Sequence, residues 1–197
     1  MFNLNNSYPY QPEVNNVVIK LANRCFNSKA SISVLDVGCG RGLTSMALDK
    51  IFNAKLLHGI DFNKKYNFKK LKKFKYIHDD LLDFRNLRNK IKMKQYDLII
   101  FSDVLEHLYD PVSVINFYKH FLKSNGKIII TVPNIANIYS RFSLLFGKFN
   151  YEEKGVMDKT HIRFFNRLNL KLLCDETNNK ILFWRYDSII VRYLFSL

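Results

Sequence analysis

Apolar residues recur along the chain with two spacings, and the two kinds of segment alternate. Val14, Val17, Val18 and Leu21 follow the i, i+3, i+4 spacing of an amphipathic helix. Similar spacing predicts helices over 14–25, 42–52, 63–73, 112–122 and 168–176. Short apolar, β-rich runs predict strands over 31–37, 55–60, 75–78, 96–101 and 127–132. Strands that alternate with helices indicate an α/β fold with a mostly parallel sheet and helices on both faces.

Two segments depart from the regular alternation. Residues 81–90 are predicted as a loop or irregular helix, and after Pro133 residues 135–150 are predicted as a partly helical segment rich in aromatic residues. Two final strand-like runs, 181–186 and 189–195, could close the sheet with an antiparallel strand. Because no composition break or repeat divides the 197 residues, the sequence predicts one domain over 1–197.

Composition narrows the class of protein. Hydrophobic residues make up 48% of the chain, which is too many for a disordered protein, and no apolar run is long enough for a transmembrane helix. The N-terminus lacks the basic start and apolar core of a signal peptide. Cys25, Cys39 and Cys174 are scattered, which argues for a reducing compartment. We therefore expect a cytoplasmic protein.

The net charge of +14 raises the question of an anionic partner. Much of the excess lies in residues 64–75, where Phe68, Leu71 and Phe74 are spaced to face inward from a solvated helix. Basic surfaces attract nucleic acid, anionic substrates and membrane surfaces alike. The general richness in Lys favours the simpler interpretation, a solvated face, over a nucleic-acid site.

The strongest local signal is the glycine-rich segment 34–42, VLDVGCGRG, where a strand enters a turn and a helix leaves it. Glycines allow a backbone to lie against a ligand, and the helix N-terminus directs N–H groups towards it. Gly38 and Gly40 fit the dinucleotide fingerprint, but Leu43 occupies the place of its last glycine. The acid Asp36 would repel a pyrophosphate, whereas it suits the ammonium group of a methionine moiety.

This segment resembles the first motif of class I S-adenosylmethionine (SAM)-dependent methyltransferases, which have a Rossmann-like fold. The resemblance implies that SAM is the cofactor and S-adenosylhomocysteine (SAH) the product. It assigns Asp36, Gly38, Cys39 and Gly40 to cofactor binding.

Two later segments resemble the second and third motifs of the same family. In HGIDF, Asp61 ends the second strand at the offset expected of a ribose-binding acid, and Phe62 would lie against adenine. In IHDDL, Asp80 would accept the adenine amino group, and Leu81 would adjoin it. The family usually has Gly-Asp at this place. Asp79 aligns with that glycine and Asp80 with that aspartate, so the adenine contact is assigned to Asp80.

The fourth strand leads into SDVLEHL, which resembles the branch that includes ubiquinone-type O-methyltransferases. The resemblance places Ser102 beside the methionine end of SAM and starts the next helix at Glu106 and His107. A histidine is the natural base for an oxygen nucleophile because its pKa lies near working pH. His107 is therefore the predicted catalytic residue, with a packing or capping role as the alternative.

Residues 131–134, 141–149 and 158–165 resemble a bacterial subgroup associated with surface-glycan and related small-molecule pathways, including its KTHIRFF segment. The resemblance implies an acceptor-side insertion over 134–165 and a helical cap over 1–30. Tyr139, His161 and Arg163 are the predicted substrate-binding residues. The alternative is that Phe164 and Phe165 belong to the core and that His161 stabilises a turn by a hydrogen bond.

Related enzymes with an ExxEH pattern and a later histidine bind a divalent metal. Here Asp103 stands where that pattern has a longer acid, beside Glu106, His107 and His161. Because the shorter side chain would not reach, no metal is predicted.

Together these motifs predict a methyltransferase acting on an oxygen of a small molecule or a glycan-precursor sugar. An RNA methyltransferase and a non-catalytic SAM-binding partner protein remain alternatives, and a dinucleotide oxidoreductase is disfavoured. The chain ends soon after its last predicted helix, so the acceptor pocket could be completed by another subunit in a homodimer.

Overall fold

A computed structural model describes residues 13–63, 73–92 and 95–186, together with the backbone of 187 and 190–196. Most of the helix predicted over 63–73, and most of the basic stretch 64–75, lies outside these residues. Among the described residues, no helix has the length and apolar composition that crossing a bilayer requires.

Helices and strands alternate through most of the chain. The helices are α1 (Asn16–Cys25), α2 (Leu43–Phe52), α3 (Phe84–Lys90), α4 (Pro111–Lys119), α5 (Ile138–Leu145) and α6 (Arg167–Glu176). The strands are β1 (Ser33–Val37), β2 (Leu56–Asp61), β3 (Phe74–His78), β4 (Tyr96–Ser102), β5 (Leu122–Thr131), β6 (Lys180–Asp187) and β7 (Ile190–Ser196). One turn of 3-10 helix, Leu105–His107, lies between β4 and α4.

The strands form one sheet in the order β3-β2-β1-β4-β5-β7-β6. The first five of these are parallel, and β7 pairs antiparallel with both β5 and β6. The predicted mostly parallel α/β fold is confirmed, and the C-terminal runs do supply an antiparallel pair. Since β1 is flanked by β2 and β4, the chain reverses direction across the sheet beside the glycine-rich segment, where α/β proteins place their ligands.

Hydrophobic residues are buried on both faces of the sheet. Successive residues of β1 and β4 alternate between two clusters, because side chains point to opposite faces of a strand. Leu35 and Ile99 pack with α3, α4 and α6, whereas Val34 and Leu98 pack with α1 and α2. This double coverage explains why the central strands read as continuous apolar runs.

Two predicted helix boundaries were wrong. The helix predicted over 112–122 ends at Lys119, and Leu122 instead starts β5 by pairing with Tyr96. Glu106 and His107 do not begin α4; they lie in the separate 3-10 turn. Asp110 caps α4 by accepting the backbone N–H of Ser113 at 3.0 Å, with Pro111 in its first turn, so α4 begins within one residue of the start that its apolar spacing predicts.

Candidate functional site

The glycine-rich turn between β1 and α2 is held in one conformation by its neighbours. Gly38, Gly40 and Gly42 all have positive φ, which other residues rarely adopt. A Cβ atom on Gly38 would lie 2.5 Å from Cγ2 of Val104. The backbone N–H groups of Gly38 and Cys39 both donate to the carbonyl of Ile60 at the end of β2. These contacts fix the turn at the carboxyl edge of the sheet.

Two predicted cofactor residues, Asp36 and Cys39, are enclosed by this turn. The Asp36 side chain is buried and accepts a hydrogen bond from the Ser45 hydroxyl at 2.6 Å. Burial raises the pKa of the Asp36 carboxyl to about 6, although the Ser45 hydrogen bond opposes the change. Burial also raises the pKa of the Cys39 thiol well above its usual value, so Cys39 stays protonated. The hydrogen bond from Ser45 joins the Asp36 carboxyl at the end of β1 to α2.

Asp61 joins the end of β2 to the glycine-rich turn. Its Oδ2 accepts the backbone N–H of Gly40 at 2.8 Å, and its Oδ1 accepts that of Asn63 at 2.9 Å. The next residue, Phe62, is 45% exposed. The predicted ribose and adenine residues are therefore adjacent to the turn, as the motif order implied.

The structure distinguishes the two acids after β3. Asp79 accepts hydrogen bonds from the Asn86 side chain at 2.8 Å and from Lys90 Nζ at 2.7 Å, which ties it to α3. Asp80 is exposed, and its Oδ1 accepts the backbone N–H of Leu82 at 2.9 Å. The half-buried Leu81 accepts the Tyr118 hydroxyl through its carbonyl at 3.0 Å. Of the two acids, Asp80 is the one whose exposure suits a ligand contact.

Ser102, at the end of β4, belongs to a polar cluster that sequence reasoning missed in part. The Asn15 Nδ2 donates to the Ser102 hydroxyl at 2.8 Å and to Asp103 Oδ2 at 3.3 Å. The Thr131 hydroxyl, at the end of β5, donates to Asp103 Oδ1 at 3.1 Å. Asp103 has a φ of 54°, a left-handed conformation that is uncommon outside glycine.

Asn15 also caps α1, because its Oδ1 accepts the backbone N–H groups of Val17 and Val18. An asparagine directly before an apolar helical stripe is a recognisable helix-cap signal. The partnership with Ser102 joins residues 87 positions apart, and no local pattern predicts it.

The predicted base lies beside a predicted substrate residue. The ring centroids of His107 and His161 are 4.9 Å apart. Nδ1 of His107 lies 3.2 Å from the Thr160 carbonyl, and Nδ1 of His161 lies 3.1 Å from the Val156 carbonyl. Since a carbonyl oxygen only accepts, both Nδ1 atoms carry a proton, and in neutral His107 the lone pair is therefore on Nε2. Burial lowers the pKa of His107 and favours this neutral form.

The insertion predicted over 134–165 returns to the sheet close to where it leaves. The backbone N–H of Ile135 donates to the Phe165 carbonyl at 2.8 Å. The N–H groups of Ile162 and Arg163 both donate to the Glu106 carbonyl at 3.0 Å. The insertion is therefore anchored directly to the turn that carries His107.

The other two predicted substrate residues differ in their surroundings. The Arg163 Nε donates to the Leu108 and Tyr109 carbonyls at 3.0 Å, and its Nη2 also donates to Tyr109. Arg163 thus fastens the insertion to the turn after His107. Tyr139 lies on α5 and is 66% exposed.

Glu106, His107 and His161 could hold a metal ion, since one ligand atom from each lies within 4.8 Å of the others. Oε1 of Glu106 and Nε2 of His161 are 4.0 Å apart, and two imidazoles with a carboxylate suit a divalent transition metal. Asp103 lies in the Asn15 cluster instead. The expectation of no metal stays a prediction.

A family model described as a methyltransferase domain matches residues 10–182. The chain belongs to this family. The resemblance inferred from the glycine-rich turn and the later motifs is thereby confirmed at the level of the family, and with it the prediction that the chain is a methyltransferase. The match includes the turn, the His107 region and the insertion.

Curated relatives of this methyltransferase domain are ubiquinone biosynthesis O-methyltransferases. The mitochondrial protein of Dictyostelium discoideum is 27% identical over 118 residues, which cover 52% of this chain and 36% of that protein. The protein of Haemophilus ducreyi is 29% identical over 126 residues, which cover 60% of this chain and 51% of that protein. The matched part of this chain thus spans about a third to a half of their lengths.

Solved structures share the fold. A SAM-dependent methyltransferase from Aquifex aeolicus superimposes with a TM-score of 0.67 at 15% identity, covering 90% of this chain and 87% of that one. One from Archaeoglobus fulgidus gives a TM-score of 0.65 at 19% identity, covering 92% and 93%. At these identities the likeness establishes the Rossmann-like fold.

Proposed function

We propose that this methyltransferase domain binds SAM and transfers its methyl group to an oxygen of a small molecule or glycan-precursor sugar. The observation that carries the proposal is the pairing of two features at one sheet edge. One is the glycine-rich turn tied to the Asp61 carboxylate at 2.8 Å. The other is His107, a neutral histidine fixed by the Thr160 carbonyl just beyond β4.

The cofactor residues follow the carboxyl ends of neighbouring parallel strands. The turn follows β1, Asp61 ends β2, Asp80 follows β3 and Ser102 ends β4. Ligands of open α/β sheets bind at this edge. A nucleoside could therefore extend from the β1 turn over Asp61 and Phe62 towards Asp80, with its methionine part directed towards Ser102.

The acceptor chemistry needs a base and an ordered approach. When bound, SAM supplies a methyl group already activated by its sulfonium, so alignment of the acceptor contributes most of the rate. In the proposal, Nε2 of His107 would take the proton from the acceptor hydroxyl while the oxygen–methyl bond forms and the sulfur–methyl bond of bound SAM breaks, which leaves SAH. The names of the curated relatives support oxygen as the atom methylated.

The first test is isothermal titration with SAH, with NAD as the control ligand. We expect micromolar binding of SAH and none of NAD. Binding of neither ligand would refute the SAM proposal, and binding of NAD alone would favour an oxidoreductase.

The role of His107 is tested by SAH formation over a panel of phenols and sugars. His107→Ala should lower turnover by roughly 10²- to 10⁴-fold and leave SAH affinity nearly unchanged. The matched control is His120→Ala, because His120 is exposed and its Nδ1 bonds to carbonyls of its own helix. Equal losses in both variants, or loss of SAH affinity in His107→Ala, would refute the assignment.

A further inference from the structure

Exposed apolar side chains are concentrated in one part of the insertion. Among the described residues, about half of the large hydrophobic side chains left exposed lie between positions 138 and 151. Leu145 and Phe146 are the most exposed of them, at 74% and 72%. We call the exposed apolar residues of 138–151 the apolar patch. A concentration of exposed apolar side chains of this kind on a folded domain indicates an interaction surface.

The helix α5 is oriented with its apolar stripe towards solvent. Ile138, Phe142 and Leu145 follow the i, i+4, i+7 spacing that normally faces a protein core. Here they face solvent, and Ser140 is the residue of α5 that is buried. The Ser140 hydroxyl accepts the Asn137 amide at 2.8 Å. The helix therefore turns a polar side chain to the protein and its apolar stripe to water.

The charged residues within the patch segment are all basic. Residues 134–151 contain Arg141 and Lys148, both exposed, and no acidic residue. Glu152 and Glu153 follow, and Glu153 pairs with Lys159 at 2.7 Å. The whole chain carries a net charge of +14. An apolar stripe flanked by cations is the pattern of a helix that lies in the interface of an anionic membrane.

We propose that the apolar patch docks this domain on the surface of an anionic lipid bilayer, with α5 lying in the headgroup region. The net charge favours this occupant over a second copy of the chain, because two copies of charge +14 repel each other whereas anionic lipid attracts both. The patch also continues inwards: Phe149 contacts Phe164, whose ring lies 6.4 Å from that of His161. Docking would bring the His161 side of the candidate site towards the membrane.

The test is flotation of the full chain with vesicles of phosphatidylcholine, with and without phosphatidylglycerol. We expect binding only when phosphatidylglycerol is present, and weaker binding at high salt. Leu145→Ser with Phe146→Ser should weaken binding by roughly tenfold or more, because two buried apolar side chains are lost. Arg141→Gln and Lys148→Gln should each weaken it by about fivefold.

The matched control is Leu168→Ser with Leu172→Ser, two exposed leucines at i, i+4 on α6. This variant should bind vesicles as the unaltered chain does, and every variant should retain the same circular dichroism and melting temperature. Equal loss in the control, or equal binding to both kinds of vesicle, would overturn the proposal. So would a homodimer in light scattering that Leu145→Ser with Phe146→Ser converts to a monomer, since a second copy would then be the occupant.

Discussion

The contacts of the His107 ring suit the role of base that we propose for it. The Thr160 carbonyl fixes the proton on Nδ1, so that Nε2 is the nitrogen able to accept another. Burial is the largest influence on the His107 pKa and lowers it from its usual 6.5. The residue that supplies the carbonyl, Thr160, comes from the insertion, which explains why this segment and the 3-10 turn must be anchored to each other.

The lowered pKa predicts the pH dependence of methyl transfer. A base works only when it is unprotonated, and burial lowers the pKa of His107 from its usual 6.5. The acid limb of kcat/KM should therefore lie below pH 6.5 and be absent from the residual activity of His107→Ala. The measurement is SAH formation with one acceptor from the panel across a pH series.

An acid limb above pH 6.5, or the same limb in His107→Ala, would contradict this assignment. The series should be run with and without EDTA, because Glu106, His107 and His161 could hold a metal. A coordinated Nε2 cannot also accept a proton. Activity that EDTA abolishes and a divalent metal restores would assign His107 to a metal site and remove it from the role of base.

The Asp61 carboxylate accepts a hydrogen bond from the backbone N–H of Gly40 in the glycine-rich turn. Asp61→Ala should weaken SAH binding by about 1 to 3 kcal/mol, because the ribose hydroxyls and the Gly40 amide would lose their acceptor. The control is Asp79→Ala, since Asp79 lies one residue before Asp80 but is tied to Asn86 and Lys90. Titration calorimetry should show a much smaller change there. Unchanged affinity in Asp61→Ala would contradict the ribose assignment.

At the scale of elements, the start of α1 connects helix stability to the candidate site. Asn15 caps α1 and also reaches the Ser102 hydroxyl and Asp103. Asn15→Ala should lower the free energy of unfolding by about 1 kcal/mol through the lost cap. It should also weaken SAH binding, because the end of β4 loses the donor that orders Ser102. Urea denaturation and calorimetry measure the two effects.

Asn166→Ala is the matched control for this prediction. Asn166 caps α6 through a reciprocal pair with Asn169, away from the ends of β1 to β4. Its loss should cost similar stability and leave SAH affinity unchanged. If both variants weakened SAH binding equally, the effect of Asn15 would be general destabilisation and the cluster would have no role in the cofactor site.

These elements show which features sequence could predict. The apolar pattern located α1 and α2 closely because each helix buries one face, and it located β1 and β4 because these strands are buried on both faces. It failed at the end of α4, because the apolar residues Phe121 and Leu122 would fit a helix or a strand equally well. Leu122 belongs to β5 because it pairs with Tyr96 of β4. It also could not reveal that α5 turns its apolar stripe outward, because periodicity predicts an apolar face and not what covers it.

At the scale of the whole molecule, the candidate cofactor site lies at the carboxyl edge of a sheet that has one hydrophobic cluster on each face. The strands that carry it have alternate residues in each cluster, so the site depends on the sheet and on the helices of both faces. Order along the chain predicted this arrangement, because parallel strands bring their carboxyl ends to one edge. The side-chain contacts across that edge, such as Asn15 with Ser102, depend on tertiary packing and could not be predicted.

Because the site depends on both faces of the sheet, we expect bound SAH to stabilise the whole domain, which should unfold in a single transition. A ligand that binds only the folded state at 100 times its Kd adds about 2.7 kcal/mol to the free energy of unfolding. For a domain of this size, that shifts the melting temperature by roughly 5 to 11 °C. Calorimetry with SAH should show a single transition displaced upward, with NAD as a ligand that leaves it unmoved. A second transition that SAH does not shift would mean that part of the chain folds independently of the site, and the proposed single domain over 1–197 would have to be divided.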